Sequence, residues 1–300
     1  MKRPHSPSPE LTDTLEPPES PRKSKKLKEL DAYSSTSPFP DFAHPTPSEA
    51  RQVFDVLADA HNGRDLIRKA PSPTASSNSA KSCGHSHNVI DALIGTILSQ
   101  NTSGKNSSTA KRSLDTTFGR NNFAAIADAP KSDVVEAIRM GGMANKKAAT
   151  IQKLLQDIKA KRGEYSLQYL AEMVDGKPRY SDPEVMRDLV SFDGVGPKTA
   201  SCVLLFCLGR DSFAVDTHVY RLSKLLGWVP PKANRVLAQA HLDLKIPDEL
   251  KYGLHVLMIR HGRACKGCNA SKDGQQGGCI LKAYLRDRNV KVEPKSEGNL

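Results

Sequence analysis

Residues 189–200 read Leu-Val-Ser-Phe-Asp-Gly-Val-Gly-Pro-Lys-Thr-Ala, and an apolar run follows them. The pattern predicts a helix that ends before Asp193, a tight turn at the two glycines, and a second helix opened by Pro197, because proline is favoured at the first helical position. Glycines permit positive φ angles and let a ligand approach the backbone closely. The N–H groups and the dipole at the start of the second helix favour an anion. The segment therefore predicts a turn that can hold a phosphate, although a Gly-x-Gly pair by itself is more often a packing turn between two helices.

Helical periodicity extends from this element in both directions. No stretch alternates convincingly with period two, so we predict an all-α protein. The predicted helices cover residues 48–63, 88–100, 105–117, 132–140, 145–162, 166–173, 182–191, 197–208, 216–226, 232–242 and 247–261.

The ends of the chain differ in composition from the helical part. Residues 1–46 are rich in Pro and Ser and are predicted to be disordered, and residues 67–87 are predicted to form an exposed, flexible low-complexity loop. Residues 291–300 are predicted to form a tail. Residues 21–28 read Pro-Arg-Lys-Ser-Lys-Lys-Leu-Lys, a basic cluster of nuclear-import type, for which a solvated charge run is the alternative. We therefore expect a nuclear protein, with the mitochondrion as a second location.

Charge and cysteine content restrict the class of protein. The 300 residues carry a net charge of +11, and residues 1–50 hold seven basic and eight acidic side chains, so the excess lies in the helical part. A basic folded surface is expected to meet a polyanion, although a merely soluble basic protein is the alternative. No stretch reaches the roughly 18 consecutive apolar residues of a membrane helix. Six cysteines are too few for a disulfide framework, so a reducing compartment is expected.

Lys198 and Asp216 are the candidate catalytic residues. Residues 214–221 read Ala-Val-Asp-Thr-His-Val-Tyr-Arg, which places Asp216 at a predicted helix start 18 residues after Lys198. A lysine is a nucleophile only when neutral, and both a helix N-terminus and partial burial disfavour its ammonium form. Asp216 can cap its helix and hold charge beside the amine. The pair thus points to attack on a sugar carbon next to a bound phosphate, while a surface lysine and a purely structural cap are the alternatives.

These two segments together resemble the helix–hairpin–helix, Gly/Pro-rich, Asp superfamily of DNA glycosylases, and within it endonuclease III. The resemblance covers roughly residues 88–265. It implies two α-helical lobes with a DNA cleft between them. The lobes would be residues 88–212, with the hairpin, and residues 47–66 joined to 213–290.

The resemblance implies a base excision repair enzyme that is both a glycosylase and an abasic-site lyase. Lys198 would attack C1′, displace the base, form a Schiff base and allow β-elimination, and Asp216 would stabilise cationic sugar character. Monofunctional relatives lack the lysine, so Lys198 implies the bifunctional class. Oxidised pyrimidines are the expected target, in double-stranded DNA bound by a monomer. The alternatives are an enzyme of the same fold for mismatched thymine or uracil or methylated cytosine, and a non-catalytic DNA-binding module.

Further DNA contacts are predicted in two loops that resemble the wedge loops of the family. Gln100 or Asn101 would fill the space that a flipped base leaves, and Met143 would wedge from the opposite strand. His218 either faces the lesion pocket or is structural. The predicted DNA-binding residues are Gly194, Val195, Gly196, Thr199, Gln100, Asn101, Met143, Lys146, Lys147 and His218.

The C-terminal cysteines depart from the family pattern. Many relatives of endonuclease III bind a [4Fe–4S] cluster through four cysteines spaced Cys-x6-Cys-x2-Cys-x5-Cys. Here Cys265 and Cys268 are followed after ten residues by Cys279, with no fourth cysteine in the pattern. Such a cluster normally takes four thiolates, so it is doubtful here, and no cofactor is expected for the chemistry. Three interpretations stay open: a lost cluster, a zinc site with a fourth ligand such as His261, and an atypical iron–sulfur site.

Overall fold

The computed structural model describes residues 21–66, 68, 86–268 and 278–292. Within these ranges almost all of the regular secondary structure is helical, which confirms the all-α prediction, and no helix there is long and apolar enough to cross a bilayer. The α-helices are α1 (Pro21–Ala32), α2 (Pro47–Ala60), α3 (Val89–Ser99), α4 (Gly104–Phe118), α5 (Phe123–Asp128), α6 (Lys131–Ala137), α7 (Ala144–Arg162), α8 (Asp182–Val190), α9 (Pro197–Phe206), α10 (Thr217–Leu225), α11 (Arg235–Lys245), α12 (Asp248–Ala264) and α13 (Ile280–Val292). Strands β1 (Met173–Val174) and β2 (Lys177–Pro178) pair antiparallel, with Met173 opposite Pro178.

Two clusters of buried apolar side chains form the core. The first surrounds α3, which is buried on every side from Val89 to Leu98 because it is mostly apolar and its buried Asp91 pairs with Lys111, and it includes side chains of α4 to α9. The second contains side chains of α2, α10, α11 and α12 around the fully buried Trp228. The segment between α9 and α10 contacts both clusters, with Ala214 in the first and Phe213 and Val215 in the second.

Helix α2 joins the N-terminal part of the chain to its C-terminal helices. Thr46 and Glu49 form a capping box and Pro47 opens the helix, so its start is fixed by local sequence. The helix packs on α12 and α13, and Gly253 gives Phe54 the space it needs, since a Cβ there would lie 2.6 Å from the ring.

The predicted disorder of residues 1–46 is wrong from residue 21 onward. Helix α1 packs against α8 through Leu27 and Leu30, and Asp31 pairs with Arg187. Two leucines three positions apart in a strongly charged stretch gave too weak a periodic signal. Residues 1–20 and nearly all of the predicted loop at 67–87 lie outside the described residues, as does the predicted tail beyond 292.

Two other local predictions also differ from the structure. The helix predicted at 166–173 is a 3-10 turn at Gln168–Ala171 that leads directly into β1. Helix α5 was missed because its six residues span less than two turns, too few to establish a period.

Candidate active site

Lys198 and Asp216 line the same cleft, whose volume is about 920 Å³. The cleft is bounded by the end of α3, the starts of α9, α10 and α11, and one face of α12. The predicted site residues that line it are Gln100, Asn101, Gly196, Lys198, Thr199, Asp216 and His218. Gln100 and His218, which are 118 positions apart in sequence, thus line the same cleft. The amine of Lys198 lies on α9, and the carboxylate of Asp216 lies at the N-cap of α10.

Asp216 is fixed in position by the backbone of its own helix. Its Oδ1 accepts hydrogen bonds from the N–H groups of His218 and Val219, both at 2.8 Å, so it is the N-cap of α10. Both bonds use the same oxygen. Capping therefore sets the orientation of the carboxylate at the cleft, and the structural and the chemical roles are compatible.

The chain before Asp216 is held by side chains of α11 and α12. The N–H of Val215 donates to Gln239 Oε1 at 3.1 Å, and His255 Nδ1 lies 2.7 Å from the carbonyl oxygen of Ala214. The N–H of Phe213 donates to the carboxylate of Asp243. These contacts fix three successive residues, so the position of Asp216 is determined over more than its own helix.

Lys198 lies in the first turn of α9. Pro197 is the first helical residue, as predicted, and Gly196 is an N-cap that makes no side-chain bond to the helix. The Lys198 side chain is half-buried, and the neighbouring Thr199 is buried with its hydroxyl 3.5 Å from Gln100 Nε2. The Lys198 side chain therefore extends from the start of α9, where the helix dipole favours an anion, and it lies beside the loop that follows α3.

The two glycines of the hairpin, Gly194 and Gly196, lie in different structural environments. Gly194 has a φ of +85°, and a Cβ there would lie 2.2 Å from Thr150 Cγ2 of α7, so the turn needs glycine for packing. A Cβ at Gly196 would meet no atom within 4 Å, and its φ of −105° suits any residue. Gly196 thus leaves space at the backbone on the cleft side. Gly194 is exposed but is also needed for the packing of the hairpin, and the side chain of Val195 is buried.

The two predicted wedge loops lie next to each other. Asn101 and Met143 both have positive φ angles, 49° and 52°, and Asn101 Nδ2 lies 4.0 Å from Met143 Sδ. Met143 is 46% exposed although it is a large apolar residue, and Lys146 on the following turn is exposed. Asparagine tolerates a positive φ, whereas methionine rarely adopts one, so Met143 is the residue of the pair with a strained backbone.

Lys147 was predicted to contact phosphate, and the structure contradicts this. It is buried, and its Nζ donates to the carbonyls of Leu98 and Gly141 at 2.7 and 2.9 Å and to the Thr102 hydroxyl at 2.6 Å. Burial lowers the pKa of its ammonium to about 8. Lys147 therefore connects the two wedge loops through buried hydrogen bonds, and its ammonium group is not accessible to a phosphate.

The cleft also contains residues that the sequence did not predict. Arg235, Arg260 and Arg263 line the cleft, and all three are exposed. Arg260 and Arg263 share a face of α12 because they are three residues apart, a signal that was lost when the predicted helix ended at residue 261. With Lys198 they make the walls of the cleft basic, which suits an anionic ligand.

A second group of reactive side chains lies at the end of α12. One ligand atom each from His261, Cys265, Cys268 and Cys279 lies within 4.8 Å of all the others. His261 Nε2 is 3.4 Å from Cys268 Sγ and 3.6 Å from Cys279 Sγ, and the two sulfurs are 2.8 Å apart. Its other nitrogen, Nδ1, lies 3.0 Å from Nε2 of His61. Burial lowers the pKa of His261 to about 4, so its ring is neutral at neutral pH.

Comparison with known proteins identifies the family. A profile described as HhH-GPD superfamily base excision DNA repair protein matches residues 94–247. A putative DNA glycosylase of Arabidopsis thaliana is 36% identical over 82% of this chain and 89% of its own length. Endonuclease III of Sulfolobus acidocaldarius is 31% identical over 68% of this chain and 84% of its own length.

A solved structure of a trapped endonuclease III–DNA covalent intermediate has the same fold. It superposes with a TM-score of 0.58 at 22% identity and covers 80% of this chain and 99% of its own. Fold, family profile and sequence relatives agree, and the chain belongs to the HhH-GPD superfamily of base excision DNA repair proteins, with endonuclease III among its relatives.

Proposed function

We propose that this protein removes a damaged base from duplex DNA and then cuts the strand at the resulting abasic site. The observation that carries the proposal is the presence of Lys198 and Asp216 in one basic cleft, with Lys198 in the first turn of α9 and Asp216 at the N-cap of α10. In the proposed division into lobes, 88–212 carries the amine and 213–290 the carboxylate, so DNA would lie between them. The covalent endonuclease III–DNA intermediate of the same fold supports such chemistry.

In the proposed reaction Lys198 acts as the nucleophile. The lone pair of its neutral amine forms a bond to C1′ while the bond between C1′ and the base breaks, and the base leaves with that electron pair and takes up a proton. The amine loses a proton and the sugar ring opens to a Schiff base. Loss of a C2′ proton then lets the C3′–O bond break with the 3′ phosphate as leaving group. Water finally releases the lysine.

Asp216 is proposed to stabilise the positive charge that the sugar gains as the base departs. A fixed carboxylate acts on such charge without having to reorganise, which is the main advantage of an enzyme site over water. Its two backbone hydrogen bonds and the contacts behind residues 213–215 supply that rigidity. The same carboxylate can accept the proton that the attacking amine loses.

The remaining cleft residues are proposed to hold and open the duplex. The start of α9, with the open backbone at Gly196, would bind a phosphate. Asn101 and Met143 would occupy the gap left by a flipped base, because they are adjacent, exposed and held from behind by Lys147. Oxidised pyrimidines are the proposed target.

Borohydride trapping tests the proposal. Full-length protein would be incubated with duplexes that contain an abasic site, thymine glycol or a thymine–guanine mismatch, and reduced adducts would be counted. We expect adducts with the wild type and with Lys153→Ala, a control for an exposed lysine on α7, and none with Lys198→Ala.

Equal trapping by Lys198→Ala would contradict the assignment of the nucleophile. No adduct on any duplex, with DNA still bound, would contradict the lyase activity. The duplexes that give adducts would identify the target, and trapping only on the mismatch would contradict oxidised pyrimidines.

We also propose nuclear localisation through the basic cluster at residues 21–28. The cluster lies in α1, where Leu27 is buried and Lys28 is exposed, so it is presented on a helix that packs against the folded domain. A fluorescent fusion in which Lys25, Lys26 and Lys28 are changed to alanine should leave the nucleus, and unchanged nuclear accumulation would contradict the assignment.

A further inference from the structure

The cluster of His261, Cys265, Cys268 and Cys279 does not fit the four-iron cluster found in many relatives. Such a cluster binds each ligand through a separate iron, so its ligands must be spread around a body of several atoms, and it normally takes four thiolates. Here one ligand is an imidazole, and all four ligand atoms lie within 4.8 Å of one another. That spacing leaves room for one ion.

We propose that these four residues bind a single tetrahedral Zn²⁺ ion. With Zn–S near 2.3 Å and Zn–N near 2.0 Å, neighbouring ligand atoms on one tetrahedron lie about 3.5 to 3.8 Å apart. The observed distances of 3.4 and 3.6 Å from His261 Nε2 to the sulfurs of Cys268 and Cys279 match this spacing. The two sulfurs, 2.8 Å apart, need only to separate by about 1 Å.

The chemistry of the ligands also favours zinc. Thiolates and imidazole are the ligands of structural zinc sites, and three cysteines with one histidine is an established set. Binding would release the three thiol protons to solvent and leave a complex with a net charge of −1. All four positions of the tetrahedron are protein ligands, so the site is structural and takes no part in the reaction at Lys198.

His61 is the positioning residue of this site. With zinc on Nε2 of His261, the Nδ1–H of that ring donates to His61 Nε2, 3.0 Å away. Such a partner on the far nitrogen fixes the tautomer and the orientation of a ligating histidine. Because His61 caps the end of α2, the zinc site ties α2 to the end of α12 and to the start of α13.

Metal analysis of the purified full-length protein tests the proposal. The protein would be prepared both in air and without oxygen, and zinc, iron and acid-labile sulfide would be measured for each chain. We expect about one zinc per chain in both preparations, with little iron or sulfide. Iron and sulfide in stoichiometric amounts, or a chain without bound metal, would overturn the proposal.

Variants locate the site and separate binding from folding. Cys268→Ser should lose zinc, whereas Cys207→Ala, a control for a buried cysteine in α9's C-cap, should keep it. Replacement of zinc by Co²⁺ in the wild type should give the visible spectrum of a tetrahedral ion with thiolate ligands, and an octahedral spectrum would contradict the ligand set.

The role of His61 has its own readout. His61→Ala should weaken zinc binding about 10- to 100-fold, as removal of such a partner typically does. His61→Gln, which keeps an acceptor, should recover much of the loss. Equal zinc affinity in the alanine variant and the wild type would contradict a positioning role for His61. None of these measurements involves DNA, so their outcome is independent of the test of the repair activity.

Discussion

Substitution of Gly194 by alanine should destabilise the protein without any contribution from ligand binding. A non-glycine residue at a φ of +85° costs roughly 1–2 kcal/mol. The new Cβ would also lie 2.2 Å from Thr150 Cγ2, and relief of such overpacking costs roughly 1–3 kcal/mol. The expected loss in the free energy of unfolding is therefore about 2–5 kcal/mol, measured by urea denaturation.

The matched control is Gly196→Ala. Its Cβ would meet no atom within 4 Å and its backbone suits alanine, so the free energy of unfolding should change by less than about 1 kcal/mol. Its affinity for DNA should fall instead, since the methyl group stands where a phosphate would approach the backbone.

A double variant separates the two terms. Thr150→Ser removes the Cγ2 methyl group, so Gly194→Ala in that background should recover the roughly 1–3 kcal/mol of overpacking and keep the cost of the backbone angle. Equal destabilisation by the two glycine variants, or no recovery in the serine background, would refute this account of the hairpin.

Three further predictions concern the cleft and the loops beside it. Asp216→Asn keeps a cap, so thermal stability should change little, while base removal in single-turnover assays should fall by several orders of magnitude; wild-type rates would contradict its role. Met143→Ala should lower base removal and lesion affinity without loss of stability, because the side chain is 46% exposed, and unchanged values would exclude the wedge. Burial lowers the pKa of Lys147 to about 8 from 10.5, so the folded protein releases this proton before the unfolded chain does as the pH rises. Wild-type stability relative to Lys147→Met should therefore increase between about pH 8 and 10.5, and a flat difference would contradict the shift.

Much of the fold could be predicted because its signals are local. Proline at a helix start, glycine in a tight turn and apolar side chains at helical spacing predicted α9, α10 and the hairpin between α8 and α9 nearly to the residue. The family resemblance, confirmed by comparison, supplied the expectation that Lys198 and Asp216 face one cleft. Short or weakly apolar elements such as α1 and α5 were missed, because their positions are set by packing against the rest of the protein.

Side-chain environments were less predictable than helices. Lys146 and Lys147 are neighbours with the same chemistry, yet one is exposed and the other is buried with three hydrogen bonds. The orientation of the first turn of α7 decides which of the two lysine side chains points into the protein. The proposed zinc ligands were also ambiguous in sequence, because cysteine spacings alone do not establish that His261, near the end of α12, lies beside the three cysteines.

The contact between His61 and His261 has a consequence for synthesis on the ribosome. The two residues are 200 positions apart, whereas the first core cluster lies almost entirely between residues 89 and 214. The ribosome adds about 5–20 residues per second from the N-terminus, so the first cluster can be buried before α12 and α13, which pack on α2, have been synthesised. The apolar face of α2, with Val53 and Leu57, stays uncovered until α12 has emerged. A ribosome that stalls in this interval would present that face to chaperones and proteases.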